Sequence, residues 1–207
     1  MLDLKKYIEG SMSFTEYVAL IDELLLEGKT TGPKQTEGRV FFSKLNRQRM
    51  RRLEKTVVLN DSIREKAGKT ARKMFWLLVT EGWCGDSAQN VPVIEKIAGT
   101  SPNIETRYIL RDENPELIDA YLTNNARSIP KLIALDAETF EEIGTWGPRP
   151  RPATEYFYEQ RAAGTEEAKI KENIQRWYLA DKEQTIQKEF EALLSDWTKE
   201  KETAATQ

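Results

Sequence analysis

Met74-Phe75-Trp76-Leu77-Leu78-Val79 is an unbroken apolar run, the pattern of a central strand buried on both of its faces. It leads straight into Trp83-Cys84-Gly85-Asp86-Ser87, after which Ala88, Val91, Ile94, Ile97 and Ala98 recur at helical spacing up to Gly99. Ile104 to Leu110 reads as a further strand, and Pro115 to Leu122 as a helix with Asn114 as its cap. Lys131 to Leu135 and Glu142 to Trp146 read as an antiparallel hairpin joined by a short turn. Residues 74 to 146 therefore predict strand, helix, strand, helix, strand, strand: an α/β unit with a mixed central sheet flanked by helices.

The flanks read as helical. Leu2 to Glu9 is a short helix, and Ser13-Phe14-Thr15-Glu16 is a capping box. It opens a helix that buries Phe14, Tyr17, Val18, Ile21, Leu24 and Leu25 on one face and stops at Gly28. A second stripe joins Phe42, Leu45, Met50, Leu53 and Val57, while Lys44, Arg47, Arg51, Arg52 and Lys55 project elsewhere. Arg49 falls inside the apolar arc, so it is expected to pair with an acid or to snorkel. Asp61, as N-cap, starts a short helix to Gly68. Pro148-Arg149-Pro150-Arg151-Pro152 reads as a stiff extended segment. Two apolar stripes follow, Ile170, Ile174, Trp177 and Tyr178, then Ile186, Phe190, Leu193, Leu194 and Trp197. They lie on different sides of one helical wheel, which calls for a break near Asp181, where Asp181 and Gln184 resemble another capping box. The expected division is a helical extension over 1–55, an α/β domain over 56–150, a second helical extension over 151–199 and a disordered tail over 200–207.

Two absences limit the chemistry. The chain of 207 residues has no histidine and a single cysteine. This excludes a Ser-His-Asp triad, a Cys-His pair, an intramolecular disulfide and a Cys/His metal site, so no metal is expected. Gly85-Asp86-Ser87 lacks the histidine a hydrolase serine needs, and no Gly-rich phosphate loop occurs. No apolar run approaches the roughly 18 residues of a membrane span. The first residues, Met1 to Lys6, lack a signal-peptide core, so the expectation is a cytoplasmic protein with no membrane partner. Net charge is -3, yet residues 39 to 73 carry 12 basic and three acidic residues, a local +9 that leaves -12 elsewhere. Those charges alternate with Phe42, Leu45 and Leu53 in a helical pattern. They read as a solvated face or a docking surface for the acidic remainder, and no nucleic-acid partner is expected.

Cys84 stands where a buried strand gives way to a helix. Free N–H groups and the helix dipole favour a thiolate there, which predicts a nucleophilic sulfur at neutral pH, with Asp86 opposing. Ser87 stands three residues on, where its hydroxyl can point at the sulfur.

A buried strand ending in Trp83-Cys84-Gly85, then helix, strand, helix and Ile129-Pro130 before a hairpin resembles the thioredoxin fold. Glu81-Gly82-Trp83-Cys84-Gly85-Asp86-Ser87, Arg111-Asp112-Glu113-Asn114, Ser128-Ile129-Pro130-Lys131 and Trp146-Gly147-Pro148-Arg149-Pro150 look like a bacterial subfamily of thioredoxin-like proteins with helical extensions. The resemblance implies a cis peptide at Pro130, lying against the sulfur of Cys84 46 residues earlier. Two positions depart from the family: Ser87 replaces the second cysteine, and Leu78 stands where thioredoxins bury an acid. A dithiol cycle is excluded, and any mixed disulfide at Cys84 needs an external thiol to release it.

The resemblance thus implies monothiol exchange, with Cys84 and Ser87 as catalytic residues and Trp83, Gly85, Asp86, Ile129 and Pro130 as the surface that receives substrate. The expected partners are disulfide-bearing or thiol-modified proteins and a low-molecular-weight thiol such as glutathione, guided by Arg149 and Arg151; no bound cofactor is expected. The competing expectation is a non-enzymatic module that binds partners through the same fold.

Overall fold

The computed structural model describes residues 2–198, and the tail expected over 200–207 lies outside them. Its helices are α1 (Leu4–Glu9), α2 (Phe14–Leu26), α3 (Glu37–Thr56), α4 (Asp61–Gly68), α5 (Gly85–Ala98), α6 (Pro115–Ala120), α7 (Arg151–Ala162), α8 (Glu167–Asp181) and α9 (Gln184–Trp197). Its strands are β1 (Met74–Thr80), β2 (Ile104–Leu110), β3 (Lys131–Asp136) and β4 (Glu142–Trp146). The strands form one mixed sheet in the order β2-β1-β3-β4, with β1 parallel to β2 and antiparallel to β3, and β3 antiparallel to β4.

The apolar run Met74–Val79 becomes the inner strand because both of its faces have a layer to meet. Met74, Trp76 and Leu78 point into a core shared with Leu53 of α3, Ile63 of α4, Ile94 of α5 and Phe190 of α9. Leu77 and Val79 point the other way, toward Ile8 of α1 and Leu117 and Ile118 of α6. On the outer side of β2, Met12 exchanges both backbone hydrogen bonds with Tyr108 (2.8 and 2.7 Å), which covers part of that edge.

Local sequence sets most of the helix ends. Ser13 and Glu16 close the capping box in both directions, with Ser13 N donating to Glu16 Oε2 (2.7 Å) and Glu16 N donating to Ser13 Oγ (3.3 Å). The break between α8 and α9 is real and falls on Lys182 and Glu183, both left-handed (φ 50° and 60°). There the Asp181 carboxylate accepts from Thr185 N (3.1 Å) rather than joining Gln184 in a box.

Four expectations need correction. Asn60, not Asp61, is the N-cap residue of α4, and α6 ends at Ala120 rather than Leu122. The extended proline segment stops at Pro150; α7 begins at Arg151, and Pro152 sits in its first turn, where a missing N–H leaves no helical bond unmade. The buried face of α3 is Ser43, Asn46, Arg47, Met50 and Leu53, whereas Phe41 and Phe42 are 62% and 52% exposed. Arg47 is therefore the buried arginine, held by Asp22 (Nε to Oδ1, 3.0 Å) and Glu54 (Nη1 to Oε1, 2.9 Å). Arg49 is half-buried and forms no ion pair among the described residues; its Nη1 donates to the neutral Asn46 Oδ1 (3.0 Å).

Candidate functional site

The turn after β1 is fixed from three sides. Thr80 bonds the Tyr17 hydroxyl of α2 (3.2 Å), Gly82 N donates to Thr31 Oγ1 (2.9 Å), and Asn46 Nδ2 of α3 donates to Gly82 O (3.1 Å). The last bond explains why α3 buries Asn46: its amide satisfies a buried backbone carbonyl of the turn. Glu81, fully buried, accepts from Thr31 Oγ1 and from Asp112 N (2.9 Å). Its burial raises the carboxyl above the usual glutamate range, against the opposing pull of those two bonds.

Cys84 is the N-cap of α5. Its sulfur accepts from Ser87 N (3.4 Å) and donates to Ile129 O (3.3 Å), and the Ile129–Pro130 peptide is cis, as the resemblance implies. Gly147 (φ 112°) backs this arrangement, since a Cβ there would lie 2.2 Å from Pro130 O. Cys84 is only 8% exposed. Burial pushes its thiol up, and the Asp86 carboxylate pushes the same way. The Ser87 hydroxyl and the N–H groups of Ser87 and Asp86 pull it down without prevailing. The expected neutral-pH thiolate is thus corrected: helix-end stabilisation is present, and desolvation outweighs it. The Ser87 hydroxyl itself is buried and makes no regular hydrogen bond.

Trp83, Cys84, Gly85, Asp86 and Ile129 line one cavity of about 970 Å³. Arg39 and Arg111 hold their guanidinium carbons 4.2 and 4.7 Å from the Trp83 ring centroid, so the indole carries two cations. Asp86 reaches instead toward the carboxyl-terminal helices. It forms an ion pair with Arg149 Nε (2.7 Å), both side chains being 12% exposed, and accepts from the Tyr178 hydroxyl (3.1 Å). Burial raises the Asp86 carboxyl, with Arg149 and Tyr178 opposing. Arg149 is committed to Asp86 and lies over the Phe157 ring (4.4 Å), while Arg151 is exposed, bonded to Glu155, and absent from the cavity wall.

Several residues reach this site from stretches whose sequence gives them no role there. Arg111 and Arg127 enter from the loops after β2 and before β3, and Lys171 and Gln175 from α8. Nothing local to α8 marks it as a wall of the Cys84 cavity, because its contacts run to residues some 90 positions earlier, such as Gln89 Nε2 donating to Gln175 Oε1 (2.9 Å). Glu81 carried one signal, a carboxylate placed directly after an apolar strand.

Basic residues of the 39–73 stretch are largely engaged within the chain. Arg51 joins Arg47 on Asp22, Arg39 meets Asp112 (3.2 Å), and Arg72 meets Asp136 (2.9 Å). Among the described residues, no helix is long and apolar enough to cross a membrane.

A family model described as Thioredoxin matches residues 32–169. A crystal structure of PA1234, a protein of unknown function from Pseudomonas aeruginosa, superimposes with a TM-score of 0.63 at 18% identity, over 94% of this chain and 98% of that one. A crystal structure of an HIV epitope scaffold gives a TM-score of 0.54 at 17% identity, over 89% and 98%. At these identities the two structures show a shared fold. No curated protein matches the chain.

Proposed function

Because this chain belongs to the thioredoxin family and bears one cysteine, we propose that it performs monothiol thiol-disulfide exchange through Cys84, within a bacterial branch of the family that carries helical extensions. PA1234, a bacterial protein, shares the fold over 94% of this chain. One observation carries the chemistry: the Cys84 sulfur caps a helix, accepts its Ser87 N–H and lines a cavity. Cys84 loses its proton and attacks one sulfur of a disulfide or thiol-modified substrate. The S–S bond breaks, the departing thiolate takes up a proton, and a mixed disulfide remains on Cys84. An external thiol then attacks the substrate sulfur of that mixed disulfide, and Cys84 leaves with the electron pair of the broken bond and is reprotonated. Ser87 and the N-terminal N–H groups of α5 stabilise the sulfur anion; Trp83, Gly85, Asp86, Ile129 and Pro130 shape the surface around it.

The raised thiol makes the attacking thiolate a minority species at neutral pH, so adduct formation speeds up as pH rises through and above the range of an ordinary cysteine. Incubation with oxidised glutathione followed by intact-mass measurement checks this. The expected result is one glutathionyl group per chain, faster at alkaline pH, released by reduced glutathione and missing from Cys84→Ala. The same burial and the Sγ–H bond to Ile129 O favour a second reading, a binding module with an inert thiol. A folded protein that stays unmodified while alkaline denatured protein is modified would decide for the module.

A further inference from the structure

The cavity beside Cys84 is built partly by helices that the strand-helix core does not require. Arg39, Phe42 and Arg49 come from α3, and Lys171 and Gln175 from α8. Six basic side chains line it, Arg39, Arg49, Arg111, Arg127, Arg149 and Lys171, against two acids, Asp86 and Glu172.

Most of these cations are accounted for. Arg149 is held by Asp86, Arg127 by Asp119 (2.6 Å), and Lys171 by Glu167 (2.5 Å), while Glu172 is taken by Lys169 and Arg176. Arg39 and Arg111 share the Asp112 carboxylate beside the Trp83 ring, and the buried Glu81 also acts on Arg111. Arg49 is the cation with no such contact. Half-buried, it has the neutral Asn46 Oδ1 as its hydrogen-bond partner and no carboxylate within ion-pair distance among the described residues. Its guanidinium stands beside the reactive turn, with Nη1 3.8 Å from the position a Gly85 Cβ would occupy and Gln175 Nε2 3.3 Å from the same point. Asp86 acts on the guanidinium only at longer range, and a cation held partly out of water with no carboxylate in contact is unfavourable until an anion joins it.

We propose that this cavity binds a small polyanion, a low-molecular-weight thiol or disulfide with at least two carboxylates, and that Arg49 anchors one of them. The thiol half of the assignment rests on the exchange chemistry proposed for Cys84; the anion half rests on the charges alone. The small size follows from the walls. Cys84 is 8% exposed and Gln175 of α8 packs over Gly85, so the approach to the sulfur lies through the cavity. A volume of about 970 Å³ suits a peptide of a few residues.

Titration with S-methylglutathione tests the site apart from the chemistry, because this probe keeps two carboxylates and has no sulfur able to exchange. Calorimetry is expected to show saturable binding to the whole chain and to Cys84→Ser. Arg49→Ala, and Arg49→Met, which keeps the side-chain stem, should each weaken it by about tenfold or more. Esterifying both carboxylates of the probe should weaken it by about as much. The proposal is overturned by absent binding to the folded chain, by Arg49 variants that bind as the parent does, or by a diester that binds equally well. Probe binding in a protein that forms no adduct with oxidised glutathione sinks the exchange reading and leaves the anion site standing. Adduct formation without probe binding does the reverse.

Discussion

Two helices from the same end of the chain attach to the domain by opposite means. α9 is an apolar anchor: Phe190 and Trp197 meet Trp76 at 5.3 and 5.9 Å between ring centroids, and Phe190 meets Trp146 at 5.4 Å. Gly144 on β4 leaves the space for Trp197, since a Cβ there would lie 2.3 Å from the indole Nε1. α8 turns its apolar residues, Ile170, Ile174 and Tyr178, toward Tyr156 and Phe157 of α7 instead. It reaches the Cys84 turn through polar atoms, with Tyr178 Oη donating to Asp86 (3.1 Å) and accepting from Asn90 (2.9 Å). Aromatic burial is strong and indifferent to angle, so it fixes the body of the fold. Hydrogen bonds are weaker and directional, and α8 uses them to place a wall beside a sulfur.

That contrast has a sharp consequence at α9. Phe190→Ala should cost about 3–5 kcal/mol in urea unfolding, because it empties a fully buried aromatic site. The alkylation midpoint of Cys84 in the folded protein should stay where it is, and a shift in that midpoint would break the comparison. At the α8 side, Asp86→Asn should cost less, about 1–3 kcal/mol from the lost charged contacts. Here the alkylation midpoint should move to lower pH, since a negative charge that raises the thiol is removed while Arg149 remains. A midpoint that stays or rises would contradict the account of why the thiol is protonated. The smallest effect belongs to Glu81→Gln. Burial raises the folded pKa of Glu81, so its contribution to stability is complete below the ordinary glutamate value of about 4.3 and declines as pH rises to the folded value. The variant should flatten that decline in unfolding midpoints compared between about pH 4 and about pH 7; an unchanged slope would place the dependence on other groups.

The strands were legible because their signals are local: an unbroken apolar run for β1, and two short runs with a turn for β3 and β4. The face of α3 was legible only in part. Met50 and Leu53 were placed by their spacing, but the polar side of the buried face, with Arg47 and not Arg49, depends on bonds from Ser43 and Asn46 to loops elsewhere in the chain. The family resemblance implied the peptide at Pro130 that partners Cys84, and the position of this cysteine at a helix start was also readable. Its protonation was not, because desolvation depends on how α3 and α8 close over the turn, and periodicity carries no such information. The same limit hid the cationic wall, which joins residues from five separate stretches of chain.

Lys182 and Glu183 stand between the anchoring helix and the site-forming one, both in a backbone region that side-chain-bearing residues seldom occupy. This pair is the elbow of the molecule. A substitution that alters its bend would re-aim Lys171 and Gln175 while the aromatic anchor beyond it keeps its grip, so the wall beside Cys84 can be reshaped by changes far from the sulfur and without loss of the sheet.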